Sequence, residues 1–164
     1  ATCPTKYYYN NTIEKCELKY QWVNNTAGLG NDARLVRYKS KNPQYIITRL
    51  IKDNGDEVPV EGYISKITKR IYSLFYKAIN DYKRMEVLLA EPGYYKWEIS
   101  SDGKVEENAI ESGHTNNEIV YTCRFFYDNY HYIGMMRPST GVCHTTDFLG
   151  VTNRSTYYLL TYKI

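Results

Sequence analysis

The chain has 164 residues, a net charge of +3, 43% hydrophobic residues and 24% charged residues, which is the balance of a folded protein with one core or of two small modules that share one. Such a small net charge gives no reason to expect a nucleic-acid partner. No apolar run approaches the roughly 18–20 residues of a membrane-spanning helix, so we expect no membrane span.

Tyrosine is unusually frequent, with 19 residues, and together with Ile, Val, Thr and Phe it favours β-strands. Two explanations stay open. One is an AT-rich genome, whose codons favour Tyr, Asn, Lys and Ile. The other is a tyrosine-rich surface that binds proteins, for which the clusters at 6–11 and 127–132 are the candidates.

The N-terminal segment, residues 1–19, is set apart by two of the four cysteines. Four cysteines allow three pairings. Because Cys3 and Cys16 enclose a short loop, and Cys123 and Cys143 should lie on neighbouring strands, we predict the disulfides Cys3–Cys16 and Cys123–Cys143. The cysteines lack the C-x-x-C spacing of a zinc site, and no metal or other cofactor is predicted.

Three N-glycosylation sequons begin at Asn10, Asn24 and Asn153. Sequons are weak signals by themselves in a chain this rich in asparagine. Together with the even number of cysteines and a first residue that is Ala, they predict a processed, secreted protein in an oxidising compartment.

Residues 20–93 and 94–164 form two copies of one sequence pattern. In each copy a tryptophan is followed six places later by a glycine, and further along by an arginine in a strand-like segment; at constant spacing these are Trp22/Trp97, Gly28/Gly103 and Arg49/Arg124. Each copy closes with an apolar segment, at 84–89 or 156–162. This matched order predicts a duplication.

Alternation of apolar and polar residues predicts an all-β fold. The predicted strands are 45–50, 61–67, 70–78, 84–89, 120–125, 130–136 and 156–162, and the predicted turns are 53–56, 91–93, 100–103 and 138–141. The stretch 65–90 also fits an amphipathic helix, but its Ile, Tyr and Phe clusters and the strand in the matching half favour β structure. We interpret Trp22 and Trp97 as equivalent core anchors, with sugar stacking as the alternative.

The second copy resembles the DM-nine repeat in the segments WEISSDGKVEENAIESG (97–113), IVYTCRFFYDNYHYIG (119–134) and YYLLTY (157–162). The residues that match the family's pattern are Trp97, Gly103, Val105, Asn108, Ala109, Gly113, Tyr121, Arg124, Gly134 and Gly150. The first copy keeps fewer matches, which are Trp22, Gly28, Ala33, Arg49, Gly62 and the closing EVLL at 86–89. The resemblance covers about residues 20–164. It implies two intertwined tandem repeats of antiparallel β-sheet related by a pseudo-twofold axis, with residues 1–19 as a disulfide-stapled arm.

The resemblance also implies a function, because characterised members of this family are similar to mannose-binding lectins of invertebrates. In those lectins an acidic residue after a glycine and a lysine in a later turn hold the sugar, with help from a second acidic residue. The resemblance puts Thr115 in the first acidic position and Met135 and Tyr63 in the two lysine positions. Asp56 and Glu57 stand for the second acidic residue.

Two interpretations of this divergence stay open. In the first, a rebuilt pocket binds a different glycan with Tyr63, His114, Thr115, Asn116, Met135 and Arg137, since aromatic faces stack on sugars and polar groups bond their hydroxyls. In the second, sugar binding is lost and the chain is a secreted coat, matrix or host-interaction module. The expected partners are glycans or glycoproteins, proteins bound through tyrosine-rich surfaces, and a second copy in a homodimer.

We predict no enzymatic activity, because no Ser-His-Asp arrangement or phosphate-binding loop is visible. His114, His131 and His144 lie on different predicted elements without ligand-like spacing. The basic run SKITKR (65–70) is either the solvated face of one strand or a site that attracts sulfated glycans or acidic membrane surfaces.

Overall fold

The computed structural model describes residues 2–39, 44–73, 82–147 and 150–164, and within these ranges the chain is all-β, as predicted, apart from one 3-10 turn at Leu29–Asn31. The strands in chain order are β1 (Tyr7–Asn10), β2 (Lys15–Leu18), β3 (Tyr20–Asn24), β4 (Arg37–Lys39), β5 (Gln44–Lys52), β6 (Glu57–Ile64), β7 (Ile71–Ser73), β8 (Tyr82–Ala90), β9 (Tyr95–Ser101), β10 (Glu111–Thr115), β11 (Glu118–Tyr127), β12 (Tyr130–Arg137), β13 (Val142–Asp147), β14 (Gly150–Arg154) and β15 (Thr156–Tyr162).

Two large antiparallel sheets correspond to the two sequence repeats. In repeat 1 the strand order is β3-β8-β5-β6-β7, and β4 pairs with β5. In repeat 2 the order is β9-β15-β11-β12-β13-β14, and β10 pairs with β11. Apart from β14, for which the described residues of repeat 1 show no counterpart, each strand of one sheet has a counterpart at the same place in the other. The duplication predicted from the tryptophans is therefore present in the topology.

The pairing register repeats as well. Trp22 lies opposite Leu88 on β8, and Trp97 lies opposite Leu160 on β15. On β5 Arg49 lies opposite Glu86 of β8, and on β11 Arg124 lies opposite Tyr158 of β15, in each case two residues before the partner of the tryptophan. Because directly opposed residues share one face of an antiparallel pair, each tryptophan and its arginine lie on the same face of their sheet.

The two sheets pack on one another through a central hydrophobic cluster that both repeats supply. Its buried members are Val36, Ile47, Leu88 and Ala90 from repeat 1 and Ile110, Ile133, Leu160 and Tyr162 from repeat 2. Trp22 and Trp97 are partly buried against this cluster, which agrees with their interpretation as equivalent core anchors. Each sheet also has its own cluster on the other side, around Ile46 and Val87 in repeat 1 and around Phe125 and Leu159 in repeat 2. Neither repeat can bury the central face alone, so the two must fold together.

Both predicted disulfides are present. Cys123–Cys143 is fully buried and joins β11 to β13. The expectation that these two cysteines lie on neighbouring strands is wrong, because β12 lies between β11 and β13. Cys3–Cys16 closes the N-terminal arm, where β1 and β2 form a separate hairpin. In the chain-entropy model, a disulfide that closes a loop of this length stabilises the folded state by about 3 kcal/mol.

The N-terminal arm contacts the rest of the chain through Tyr8. The Tyr8 hydroxyl donates a hydrogen bond to Glu17 at 2.7 Å and also lies 3.1 Å from Glu91 Oε1. The centroid of its ring lies 4.8 Å from that of Tyr94. At the base of the arm the Lys19 ammonium donates to the Lys163 carbonyl at 2.6 Å. These contacts hold the arm against the start of repeat 2 and the C-terminal segment.

The strand predicted over 61–67 ends earlier, at Ile64. The chain then turns, with the Ser65 amide bonded to the Arg70 carbonyl at 2.8 Å and Lys69 at a φ of 59°. The basic run is therefore a turn, and its interpretation as one face of a strand is wrong. Of the strand predicted over 70–78, β7 is observed through Ser73 and residues 74–78 lie outside the described residues. The alternative helix over 65–90 is wrong where the structure describes the chain, because a turn, β7 and β8 take its place.

Candidate functional site

Each repeat carries a tryptophan with an arginine stacked on it. The guanidinium carbon of Arg49 lies 4.6 Å from the ring centroid of Trp22, and that of Arg124 lies 4.8 Å from the ring centroid of Trp97. Such cation–π pairs stabilise by about 0.5–2 kcal/mol. The sequence landmarks that revealed the duplication are thus partners in one repeated contact.

In repeat 1 the stacked arginine is held by two carboxylates. Arg49 donates through Nε to Glu86 Oε1 at 2.8 Å, and its Nη2 lies 2.6 Å from Glu86 Oε1 and 3.0 Å from Glu57 Oε2. All three side chains are 12–21% exposed. Charge-assisted bonds in such partly buried surroundings are the strong ones, so the Glu57 carboxylate has a fixed position.

Glu57 continues the network into repeat 2. Its Oε1 lies 2.8 Å from Nδ1 of His114 on β10, and the imidazole is 51% exposed. The Trp22 indole also crosses the boundary, since its Nε1 donates to the Glu111 carbonyl at 3.1 Å. We call these five side chains, Trp22, Arg49, Glu57, Glu86 and His114, the inter-repeat junction.

The two backbones come unusually close at the junction. Gly113 has a φ of 139°, and a Cβ built on it would lie 2.5 Å from the Glu57 Cβ and 2.7 Å from the Glu57 carbonyl oxygen. A side chain at this position would force the strands apart. The absence of a side chain at Gly113 therefore lets His114 reach Glu57.

At the equivalent place in repeat 2, no described carboxylate pairs with the arginine. Arg124 stacks on Trp97 and also lies 5.4 Å from the Tyr158 ring. In the described part of the chain its Nε has no hydrogen-bond partner and it forms no ion pair. Burial lowers the pKa of Arg124. Both repeats thus have an arginine stacked on a tryptophan, but only the arginine of repeat 1 is paired with described carboxylates.

Next to Arg124, Tyr38 of repeat 1 donates a hydrogen bond to the buried Glu61 carboxylate. Burial, followed by the charge of Glu61, raises the pKa of Tyr38. Arg49, Glu86, Glu61 and Tyr38 were not among the predicted site residues. Arg49 could have been found from the sequence, because it recurs at the same place in both repeats. Glu86, Glu61 and Tyr38 have no such pattern, since the chain contains many similar acidic residues and tyrosines.

Among the predicted ligand residues, Glu57 and His114 are brought into direct contact at the junction. Asp56 lies just before Glu57 in the turn between β5 and β6, where its amide bonds the Asn54 side chain at 2.9 Å. Thr115, which follows His114, is buried, and its hydroxyl has no partner among the described residues.

Asn116 and Arg137 lie near the end of the β10–β11 hairpin. Asn116 and Asn117 have φ values of 51° and 63°, as a two-residue type I′ turn requires. Glu118 opens β11 opposite Thr115, and its Oε1 lies 3.5 Å from Arg137 Nε. The hairpin end thus presents amide and carboxylate groups next to a cation.

Tyr63 and Met135 are not equivalent in the pairing register. Met135 pairs with Thr122, which lies two residues before Arg124. In repeat 1 the residue two before Arg49 is Ile47, and its partner is Glu61 rather than Tyr63. Tyr63 stacks instead on Tyr72, with centroids 5.6 Å apart. The hairpin loops of the two repeats differ in length, so an alignment on glycines shifts the register.

Four hollows in the described part of the chain are lined by other residues. At the junction, His114 is 51% exposed, whereas Arg49, Glu57 and Glu86 are 12–21% exposed. Of the sequon asparagines, Asn24 and Asn153 are exposed, while Asn10 donates through its side chain to Glu17 at 3.1 Å. Among the described residues no helix is long and apolar enough to cross a membrane.

Two sheets of equivalent topology that share one core define a tandem-repeat β protein. The chain belongs to the DM9 repeat family, whose model matches residues 41–147. This match confirms the resemblance seen in the sequence. A search of curated proteins found no match.

Proposed function

We propose that the protein is a secreted, non-enzymatic recognition module that binds glycans at the inter-repeat junction. The observation that carries the proposal is the contact between Glu57 of repeat 1 and His114 of repeat 2. The contact brings an acidic residue next to the segment after Gly113, which the resemblance to the DM9 family links to sugar binding. The buried and exposed disulfides together favour an oxidising compartment.

The junction has the chemistry to bind sugar hydroxyls. Each carboxylate oxygen of Glu57 accepts one bond from the protein and has a further lone pair for a ligand. The half-exposed imidazole of His114 has a second ring nitrogen that bonds a hydroxyl in either role. Because Arg49 fixes Glu57, little side-chain entropy is lost on binding.

The proposed ligand differs from the mannose that the family resemblance implies. Thr115 and Met135 replace the acidic residue and the lysine of that pattern. The junction offers an imidazole and a carboxylate instead. We therefore expect the protein to prefer glycans other than mannose.

A glycan array tests the proposal with the purified, disulfide-bonded protein and a matched pair of histidine variants. His114→Ala should weaken binding to the best glycan about tenfold or more, because it removes a charge-assisted contact. His144→Ala is the control, since His144 is an exposed histidine on β13, away from the junction. Silence of the folded wild type, or equal loss in both variants, would refute a junction site.

A protein-interaction module is the second candidate, and a surface of repeat 2 favours it. Ile99, Phe126 and Tyr158 are 71%, 57% and 41% exposed and line one hollow together with Arg154. We call these four residues the aromatic surface. Exposed aromatic groups beside an arginine are enriched at protein interfaces.

Sedimentation of the wild type and of Phe126→Ser tests this second function as self-association. A concentration-dependent dimer that Phe126→Ser weakens supports an interface made by the aromatic surface. A monomer at all concentrations argues against a homodimer formed through it.

A further inference from the structure

A polar hollow lies in repeat 1, at the opposite end of β5 from the β5–β6 turn that precedes Glu57. It has a volume of about 230 Å³, and the residues that give it its character are Asn31, Arg37, Gln44, Ser65, Lys66 and Lys69. Three of these six side chains are cationic, and its lining contains no carboxylate. The basic run of the sequence therefore forms one wall of a concave site.

The wall is a structured turn. The Lys69 amide bonds the Ser65 carbonyl at 2.9 Å, and the Thr68 amide bonds the Ser65 hydroxyl at 3.2 Å. A Cβ added to Gly30 would lie 1.8 Å from the Lys69 carbonyl oxygen, so the turn is seated closely on Gly30. These contacts fix the backbone from which Lys66 and Lys69 extend.

Arg37 forms the opposite wall and is held in place by three acceptors. Its Nε donates to Gln44 Oε1 at 2.9 Å, its Nη1 to the Leu35 carbonyl at 3.2 Å and its Nη2 to the Asp32 carbonyl at 3.5 Å. A guanidinium has five N–H donors, so two are left for a ligand. Asp32, whose backbone carbonyl accepts from Arg37, is bound on both carboxylate oxygens by Arg34.

The positive charge of the hollow is compensated only in part within the described residues, because the charge of Asp32 acts on Arg37 but is itself paired with Arg34. Arg37, Lys66 and Lys69 form no ion pair there. Like charges that face one hollow repel one another, and a bound anion removes that repulsion. The free chain is thus arranged for an anionic ligand.

We propose that this hollow binds a sulfate group of a sulfated glycan. Arg37 holds a planar pair of acceptor oxygens through its two remaining donors, and the two lysines supply the balancing charge. The polar groups of Asn31, Gln44 and Ser65 lie beside the cations for the sugar hydroxyls. A concave, polar lining favours a sugar over a flat lipid surface, although Ile67 at the tip of the turn is 92% exposed; single exposed apolar residues are common on soluble proteins.

This site takes no residue from repeat 2, so it is independent of the inter-repeat junction. The test is calorimetric titration of the full chain with a heparin tetrasaccharide and with its fully desulfated form. The wild type should bind the sulfated probe and not the desulfated one. Higher salt should weaken binding, because ions screen the exposed charges.

The double variant Lys66→Gln/Lys69→Gln should bind the sulfated probe about tenfold more weakly or worse. The matched control is Lys83→Gln/Lys104→Gln, which removes the same charge from exposed lysines outside the hollow and should stay within about twofold of the wild type. His114→Ala should also bind the sulfated probe normally, which separates this site from the junction.

Three results would overturn the proposal. They are no binding of the sulfated probe by the folded wild type, equal losses in the two double variants, and tight binding to phosphatidylserine vesicles without binding to the sulfated probe. The last result would assign the turn and Ile67 to a membrane surface.

Discussion

At the scale of single residues, two equivalent arginines stand in different electrostatic surroundings. Arg49 is stacked on Trp22 and paired with Glu57 and Glu86, whereas Arg124 is stacked on Trp97 with no described carboxylate partner. A partly buried charge is favourable only when its partners offset its loss of hydration. The duplicated position therefore gives an internal comparison of a paired and an unpaired arginine.

We expect Arg49→Met to lower the free energy of unfolding by roughly 2–4 kcal/mol, because it leaves two partly buried carboxylates without their cation. Arg124→Met should change it by less than about 1 kcal/mol, since methionine keeps the packing and removes an unpaired charge. Urea unfolding followed by circular dichroism measures both. Equal destabilisation would contradict the assignment of charges at the two positions.

Gly113 allows the approach of the two repeats, so its substitution should be costly. Gly113→Ala combines a φ of 139° with a clash against the Glu57 backbone, and we expect a loss of about 3 kcal/mol or more. Gly93→Ala is the control. Gly93 also has a positive φ, of 88°, but open space around it, so the loss should be about 1 kcal/mol. Thermal unfolding compares them, and similar losses would show that the close contact is unimportant.

The residues that the sequence could predict at the site were those with a local signature. The two tryptophans and two arginines recur in order, so their equivalence is visible without coordinates. The contact between Glu57 and His114 has no such signature. It depends on which faces of β6 and β10 meet across the boundary between repeats. Sequence order does not encode that docking.

At the scale of elements, strands were predictable because their side chains alternate, and their ends were less so. β6 ends at Ile64, where backbone bonds of Ser65 to Arg70 and Lys69 close a turn. Lys69 has a positive φ in this turn, which a lysine in the sequence does not predict. The turn between β11 and β12 uses Asp128 and Asn129, both with positive φ. Both residue types tolerate that conformation and favour type I′ hairpin turns.

The two disulfides should differ in access to reductant. Cys16 is exposed in the arm, whereas Cys123 and Cys143 are fully buried in repeat 2. We expect mild reduction and alkylation of the native protein to label Cys3 and Cys16 well before Cys123 and Cys143. Peptide mass spectrometry reads the order. Simultaneous labelling of all four would mean that repeat 2 opens as easily as the arm.

At the scale of the whole molecule, burial of tyrosines makes stability sensitive to alkali. Burial raises the pKa of Tyr20 to about 12, and it raises the pKa values of Tyr8, Tyr38, Tyr45, Tyr121 and Tyr157 as well. In the unfolded chain a tyrosine loses its proton near pH 10. Above that pH the folded state binds more protons than the unfolded state, so stability falls as pH rises.

The free energy of unfolding should be unaffected by these tyrosines below about pH 9 and should fall between pH 10 and 12. Each tyrosine that stays protonated only in the fold contributes a slope of about 1.4 kcal/mol per pH unit. Urea unfolding at several pH values measures the slope. Tyr20→Phe should make it shallower, and Tyr7→Phe, at an exposed position in the arm, should leave it unchanged. An unchanged slope in Tyr20→Phe would contradict the buried position of that hydroxyl.

The central claim is that recognition takes place where the two DM9 repeats meet. The most direct test is amide hydrogen exchange of the wild type with and without the best-binding glycan from the array. We predict protection in two separate segments together, 54–58 from repeat 1 and 111–117 from repeat 2. Protection confined to the aromatic surface of repeat 2, or to one repeat alone, would contradict a junction site.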